Sequence, residues 1–133
     1  MKHTCTLQVR PYECDANVHV NNAVYLNYLE WARSKLLEDI GFDYKKFLEK
    51  GYGLFVAKIN IQFKVPAQMM DMLTIISYSI KRRRTNGVFH QEIYRDNTLL
   101  CEADVTWACV NSAGRPSPLP EEFELDELQP QKV

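Results

Sequence analysis

At 133 residues the chain lies within the usual size of a single domain. Apolar residues make up 46% of it and charged residues 25%, which excludes a disordered polyelectrolyte. A formal net charge of -1 predicts no broad attraction to nucleic acid or anionic membrane, so a phosphate-bearing ligand needs a local basic cluster.

Cys5, Cys14, Cys101 and Cys109 form no C-x-x-C pair, and the histidines complete no zinc spacing. The start Met1-Lys2-His3-Thr4 runs into an alternating pattern without an apolar export core. No segment approaches the roughly 20 apolar residues of a membrane span. Free thiols in a reducing cytoplasm is the expectation.

In chain order, residues 4–10 alternate loosely and read as a first strand. From Asn22 to Ile40 the period changes to 3.6, for about five helical turns. Tyr25, Leu29, Ala32, Leu36 and Ile40 recur at three- and four-residue steps, and Leu26 and Leu37 widen that stripe. Asn21 or Asn22 supplies an N-cap oxygen, and Gly41 a left-handed terminus. Asp43 to Lys50, closed by Gly51, predicts a short second helix.

The period then becomes two. Phe55, Ala57, Ile59, Ile61, Phe63 and Val65 share one strand face, and Lys58, Asn60, Gln62 and Lys64 the other. Strands follow at 71–82, 88–95 and 99–111, with Asp96-Asn97 turning between the last two. Leu99, Cys101, Ala103, Val105, Trp107 and Cys109 share a face of the final strand. After Gly114 the chain turns Pro- and Glu-rich, an irregular tail to one domain spanning 1–133. One helix cannot cover both faces of so long a sheet, so an α+β domain that curls its sheet around the helix and oligomerises is expected.

Polar density peaks just before the long helix, where Glu13, Asp15, Asn17, His19, Asn21 and Asn22 fall within ten residues. Continued extension through 12–15 places Glu13 and Asp15 on one side and Cys14 on the other. Two readings stand on the residues alone. Asp and Asn are ordinary turn and cap residues, and a histidine there can simply pack. Equally, a carboxylate, a histidine and the open N–H groups of a helix start are the parts acyl transfer needs.

The run Tyr12-Glu13-Cys14-Asp15-Ala16-Asn17-Val18-His19-Val20-Asn21-Asn22-Ala23-Val24-Tyr25-Leu26, ending in Glu30-Trp31-Ala32-Arg33, resembles the signature of the 4-hydroxybenzoyl-CoA thioesterase-like hotdog family. Its D-x-N-x-H-V-N-N-x-x-Y spacing is also similar to that of acyl-carrier-protein thioesterases. Gly114-Arg115-Pro116 and Pro118-Leu119-Pro120-Glu121-Glu122 resemble the family's closing turn. The resemblance implies a hotdog fold, a long central helix wrapped by a curled antiparallel sheet of about five strands, paired into a homodimer or homotetramer. It implies hydrolysis of an acyl-CoA or acyl-carrier-protein thioester, with no cofactor and no metal. A non-catalytic acyl-thioester binding module is the alternative of another class, and a hydratase of the same fold is disfavoured because its Asp/His arrangement is missing.

By the same resemblance Asp15 matches the catalytic carboxylate, as general base or nucleophile. Asn22 matches the position whose backbone N–H polarises the thioester carbonyl, and Asn17 and His19 match the accompanying polar pair. Glu30 matches an acidic helix position, but about 12 Å along the helix from Asn22 it reads as structural. Two departures are noted. Val18 stands where many relatives have glycine, and a β-branched residue tolerates positive φ poorly, so a different loop shape is expected. Glu13 stands where Asp is commoner.

Lys81-Arg82-Arg83-Arg84 is the densest basic run. Arg82, Arg83 and Arg84 suit the phosphates of coenzyme A or phosphopantetheine, although a solvated strand end is the plainer reading. Tyr25 joins them as a substrate-binding candidate. Cys14 reads as packing, and His90, on a mid-sheet strand, reads as structural. Trp107 and Tyr94 read as core or interface aromatics, and Phe55, Ile59 and Tyr78 as residues that set acyl-pocket depth.

Overall fold

The computed structural model describes residues 2–131. Strand β1 (His3–Gln8) leads through a 3-10 turn at Pro11–Glu13 into helix α1 (Asn22–Asp39), then the short α2 (Tyr44–Glu49). Four long strands follow: β2 (Gly53–Phe63), β3 (Met72–Arg82), β4 (Asn86–Arg95) and β5 (Thr98–Val110). They form one antiparallel five-stranded sheet in the order β1-β3-β4-β5-β2, the expected α+β arrangement.

α1 begins where Asn21, not Asn22, caps it: Asn21 Oδ1 accepts from the Ala23 N–H at 3.0 Å. It ends at Gly41, whose φ of +83° suits a residue without Cβ. The buried stripe is Tyr25, Tyr28, Leu29, Ala32 and Leu36. Leu26 stays exposed, and Tyr28 takes the place expected of it. The helix lies on one sheet face, where buried Gln91 donates to the Leu29 carbonyl at 3.0 Å and to Ser77 Oγ at 2.9 Å. Those bonds satisfy a polar side chain that would otherwise be costly in the core.

The face of β2 differs from the expected alternation. A bulge at Ala57 shifts the register, so that Val56 pairs with Trp107 and Lys58 with Thr106. One extra residue inverts the face of everything before it. Leu54 and Val56, rather than Phe55 and Ala57, therefore continue the face of Ile59, Ile61 and Phe63. β2 is also a sheet edge, and Phe55, Val56 and Phe63 remain exposed on it at 60%, 47% and 49%.

Two apolar clusters result. One joins Leu7, Tyr25, Leu29, Ile75, Ile93 and Val105 under the first half of α1. The second joins Leu36, Phe47, Phe89 and Trp107 to Leu119, Phe123 and Leu128. The last three come from the Pro- and Glu-rich tail, which folds as two 3-10 turns and seals that end of the core.

Candidate active site

The Asp15–Val20 loop leaves and rejoins the body of the protein at one place. Cys14 pairs with Val20 in an isolated antiparallel bridge, the Asp15 N–H donates to the His19 carbonyl at 2.8 Å, and the Asn21 N–H to the Glu13 carbonyl at 3.0 Å. The loop thus sets Asp15 beside the start of α1. Its outer support is the segment before β3. The Val20 N–H donates to the Ala67 carbonyl at 2.9 Å, and His19 bridges to Gln68. That segment is fixed by Asp71, whose Oδ2 accepts from the Gln68 N–H at 2.8 Å and from Arg95 at 2.7 Å.

Within the loop, Asp15 Oδ1 accepts from the Asn17 N–H at 2.8 Å and the His19 N–H at 3.3 Å. Asn17 and His19 therefore meet Asp15 through their backbones. Asp15 Oδ2 and both side chains carry no hydrogen bond among the described residues. Asp15 and Asn17 are exposed and His19 is half-buried. Val18 has φ +65°, so the loop adopts the left-handed turn that a glycine would give, with a β-branched residue held there. The positive φ that disfavours a β-branched residue is adopted here all the same.

The Asn22 N–H, at the first position of α1, has no acceptor among the described residues. An open first-turn N–H carries partial positive charge from the helix dipole. A carboxylate with one free oxygen and an open N–H donor at the two ends of one loop can respectively activate a nucleophile and hold an oxyanion.

Other residues singled out in the sequence take different places. Glu13 does not extend alongside Asp15: it closes the 3-10 turn, accepting from the Arg10 N–H at 2.8 Å and from the Tyr28 hydroxyl at 2.9 Å. Burial, then Glu13, push the Tyr28 hydroxyl well above its ordinary pKa. Tyr25 is buried against Phe63 at 5.2 Å, and its oxygen accepts from the Ala67 N–H at 2.9 Å, so it buttresses the loop. Cys14 packs on the first cluster, and burial followed by Asp15 and Glu13 raises its thiol pKa, away from a nucleophile's range.

Arg82 is withdrawn from solvent. Its guanidinium forks onto Glu124 at 2.9 and 2.5 Å, donates to the carbonyls of Arg83 and Asn86, and lies 5.0 Å from the Trp107 ring. Lys81, Arg83 and Arg84 of the basic run are exposed.

A groove of about 690 Å³ opens between the second half of α1 and the start of β2, lined by Arg33, Leu37, Phe42, Leu54, Phe55 and Trp107 among others. Arg33 is the feature that sequence patterning passed over. It donates to Gln91 Oε1 at 3.0 Å, and burial lowers its pKa. Of the residues expected to set pocket depth, Phe55 lines this groove and Ile59 does not. Nor does Tyr78, because it faces the opposite side of the sheet beside His90, with ring centroids 5.4 Å apart.

Residues 9–125 match the thioesterase-like superfamily. The chain belongs to that superfamily. It is 32% identical over 107 residues to the long-chain acyl-CoA thioesterase FadM of Escherichia coli, covering 79% of this chain and 80% of that one. It is also 32% identical over 95 residues to the acyl-acyl carrier protein thioesterase ATL3 of Arabidopsis thaliana, covering 71% of this chain and 47% of the relative. Among solved structures, a probable thioesterase from Bartonella henselae superposes with a TM-score of 0.83 at 29% identity, over 90% of this chain and all of the other. The fold is that of the hotdog thioesterases.

Proposed function

We propose that this chain hydrolyses acyl-CoA thioesters in the cytoplasm as a homodimer or homotetramer, with Asp15 as general base or nucleophile. One observation carries the reading: the free oxygen of Asp15 and the open Asn22 N–H flank the same short loop. As base, the carboxylate takes a proton from water while the water oxygen attacks the thioester carbonyl carbon. As nucleophile, it forms an acyl-aspartyl anhydride that water then cleaves. The carbonyl oxygen becomes an oxyanion received by the Asn22 N–H, a contribution of about 100- to 1,000-fold for one such donor. The carbon–sulfur bond breaks, and the products are a carboxylate and the free thiol. Asn17 and His19 place unbonded side chains at the rim for substrate, and Arg83 and Arg84 offer charge to the coenzyme phosphates.

The exposed apolar edge of β2 supports pairing with a second copy. Antiparallel pairing of two β2 edges about a two-fold axis sets the Phe63 end of one against the Gly53 end of the other. Phe63 lies beside Tyr25 in the first turns of α1, and the groove opens at the Gly53 end. The loop of one protomer is thereby carried toward the groove of its partner, which would receive the acyl chain.

Thiol release from a panel of acyl-CoA and acyl-carrier-protein thioesters tests the assignment. Turnover of acyl-CoA substrates is expected. Turnover confined to carrier-protein substrates gives the alternative that the Asn17–His19 spacing favours. Binding without turnover of any substrate overturns the reading in favour of an acyl-thioester binding module.

A further inference from the structure

The sheet face opposite α1 carries a second cluster of ionisable groups. Along β4 and β5, Gln91, Ile93, Cys101 and Ala103 point into the core, so their neighbours His90, Glu92, Glu102 and Asp104 point outward. The hairpin register places His90 opposite Asp104 and Glu92 opposite Glu102. Two like charges directly opposed across a ladder cost stability. Lys64, 3.9 Å from Glu102 Oε1, and the Tyr94 hydroxyl, donating to Glu92 Oε1 at 3.3 Å, balance them only in part.

His90 distinguishes this cluster from a patch of surface carboxylates. Its Nδ1 lies 2.7 Å from Asp104 Oδ1 and its Nε2 lies 3.2 Å from Glu92 Oε2. With Nδ1–H donating to Asp104, Nε2 faces the Glu92 carboxylate across a gap that either a second ring proton or a metal ion can fill. A carboxylate behind the imidazole is the usual orienting partner of a metal-bound histidine. Two donors each about 2.0–2.1 Å from one ion are separated by roughly 3 Å at tetrahedral or octahedral angles, which matches the His90–Glu92 spacing. One ligand atom from each of His90, Glu92 and Glu102 lies within 4.8 Å of the others, and each residue is half-buried.

We propose that His90, Glu92 and Glu102 bind a divalent transition-metal ion on the outer face of the sheet, with Asp104 orienting the imidazole. The ion ties β4 to β5 and removes the Glu92–Glu102 repulsion. A nitrogen ligand beside two carboxylates favours zinc-like ions over magnesium.

Calorimetric titration of the metal-free full-length protein with Zn²⁺ at pH 7.5 tests this, with thermal unfolding recorded at each addition. One equivalent per chain and a rise in Tm are expected, with no comparable response to Mg²⁺. His90→Ala abolishes both effects, and Asp104→Asn and Glu102→Gln each weaken binding about tenfold or more. Far-UV circular dichroism of the metal-free variants verifies that they are folded. Absence of zinc binding, with His90 simply titrating as an imidazole between its carboxylates, overturns the site. So does zinc binding that survives His90→Ala and is lost in Cys14→Ser.

Discussion

The Tyr28 hydroxyl donates to Glu13 Oε1 at 2.9 Å, joining the buried stripe of α1 to the turn from which the Asp15 loop departs. Removing that hydroxyl in Tyr28→Phe leaves Glu13 its Arg10 partners but loses a hydrogen bond to a charged acceptor. A loss of about 1–3 kcal/mol in urea unfolding is expected. An unchanged unfolding midpoint would mean that the bond contributes nothing.

Val18 stands at φ +65°, a strained conformation for a β-branched side chain. Val18→Gly relieves about 1–2 kcal/mol of backbone strain and gives back about 0.4–1 kcal/mol through the freer unfolded chain. A net gain of about 0.5–1 kcal/mol in denaturant unfolding is the expected outcome. Destabilisation would show that the Val18 side chain stabilises the loop by packing.

The basic run divides by role. Arg82→Ala breaks the pair with half-buried Glu124 and uncovers Trp107, at a cost of about 1–3 kcal/mol. Arg83→Ala and Arg84→Ala change stability by about 0.5 kcal/mol or less. If these two meet the coenzyme phosphates, they raise KM for acyl-CoA while leaving KM for a short acyl-pantetheine unchanged. Equal shifts in both KM values would assign the two arginines to the solvated strand end instead.

Burial pushes the Cys101 thiol from its ordinary value of 9.0 up to about 12, with Glu102 adding to the shift. The folded state holds this proton more tightly than the unfolded chain. The stability it confers is therefore complete below pH 9 and is lost as the pH rises toward 12. Urea midpoints measured from pH 8 to 11 should fall, and Cys101→Ala should flatten that decline by up to about 1.4 kcal/mol per pH unit. An identical slope in the variant would remove Cys101 as its source.

Much of this was legible in residue order. The 3.6 period of α1, the period of two beyond it and the glycine after the helix are local signals, and each element lies within a few residues of its expected bounds. Bulges are not local in the same sense. The extra residue at Ala57 is set by pairing with β5, so Phe55 and Val56 exchange faces without any sign in the alternation. The Asp15 loop was visible as a polar run, but its internal bonds were not, because they pass through the backbones of Asn17 and His19. Arg82 looked like its neighbours until Glu124, 42 positions on, was brought to it by the folded tail. His90, Glu92 and Glu102 were likewise scattered until the β4–β5 hairpin aligned them.

The central claim is that Asp15 performs the chemistry as well as shaping its loop. Asp15→Asn keeps an oxygen able to accept from the Asn17 and His19 N–H groups but removes the basic, nucleophilic carboxylate. Its kcat for acyl-CoA hydrolysis, measured with fold and unfolding midpoint verified as near wild type, is the most direct test. A fall of about 100-fold or more is predicted. Turnover at the wild-type rate would contradict the account and leave Asp15 as a loop residue only.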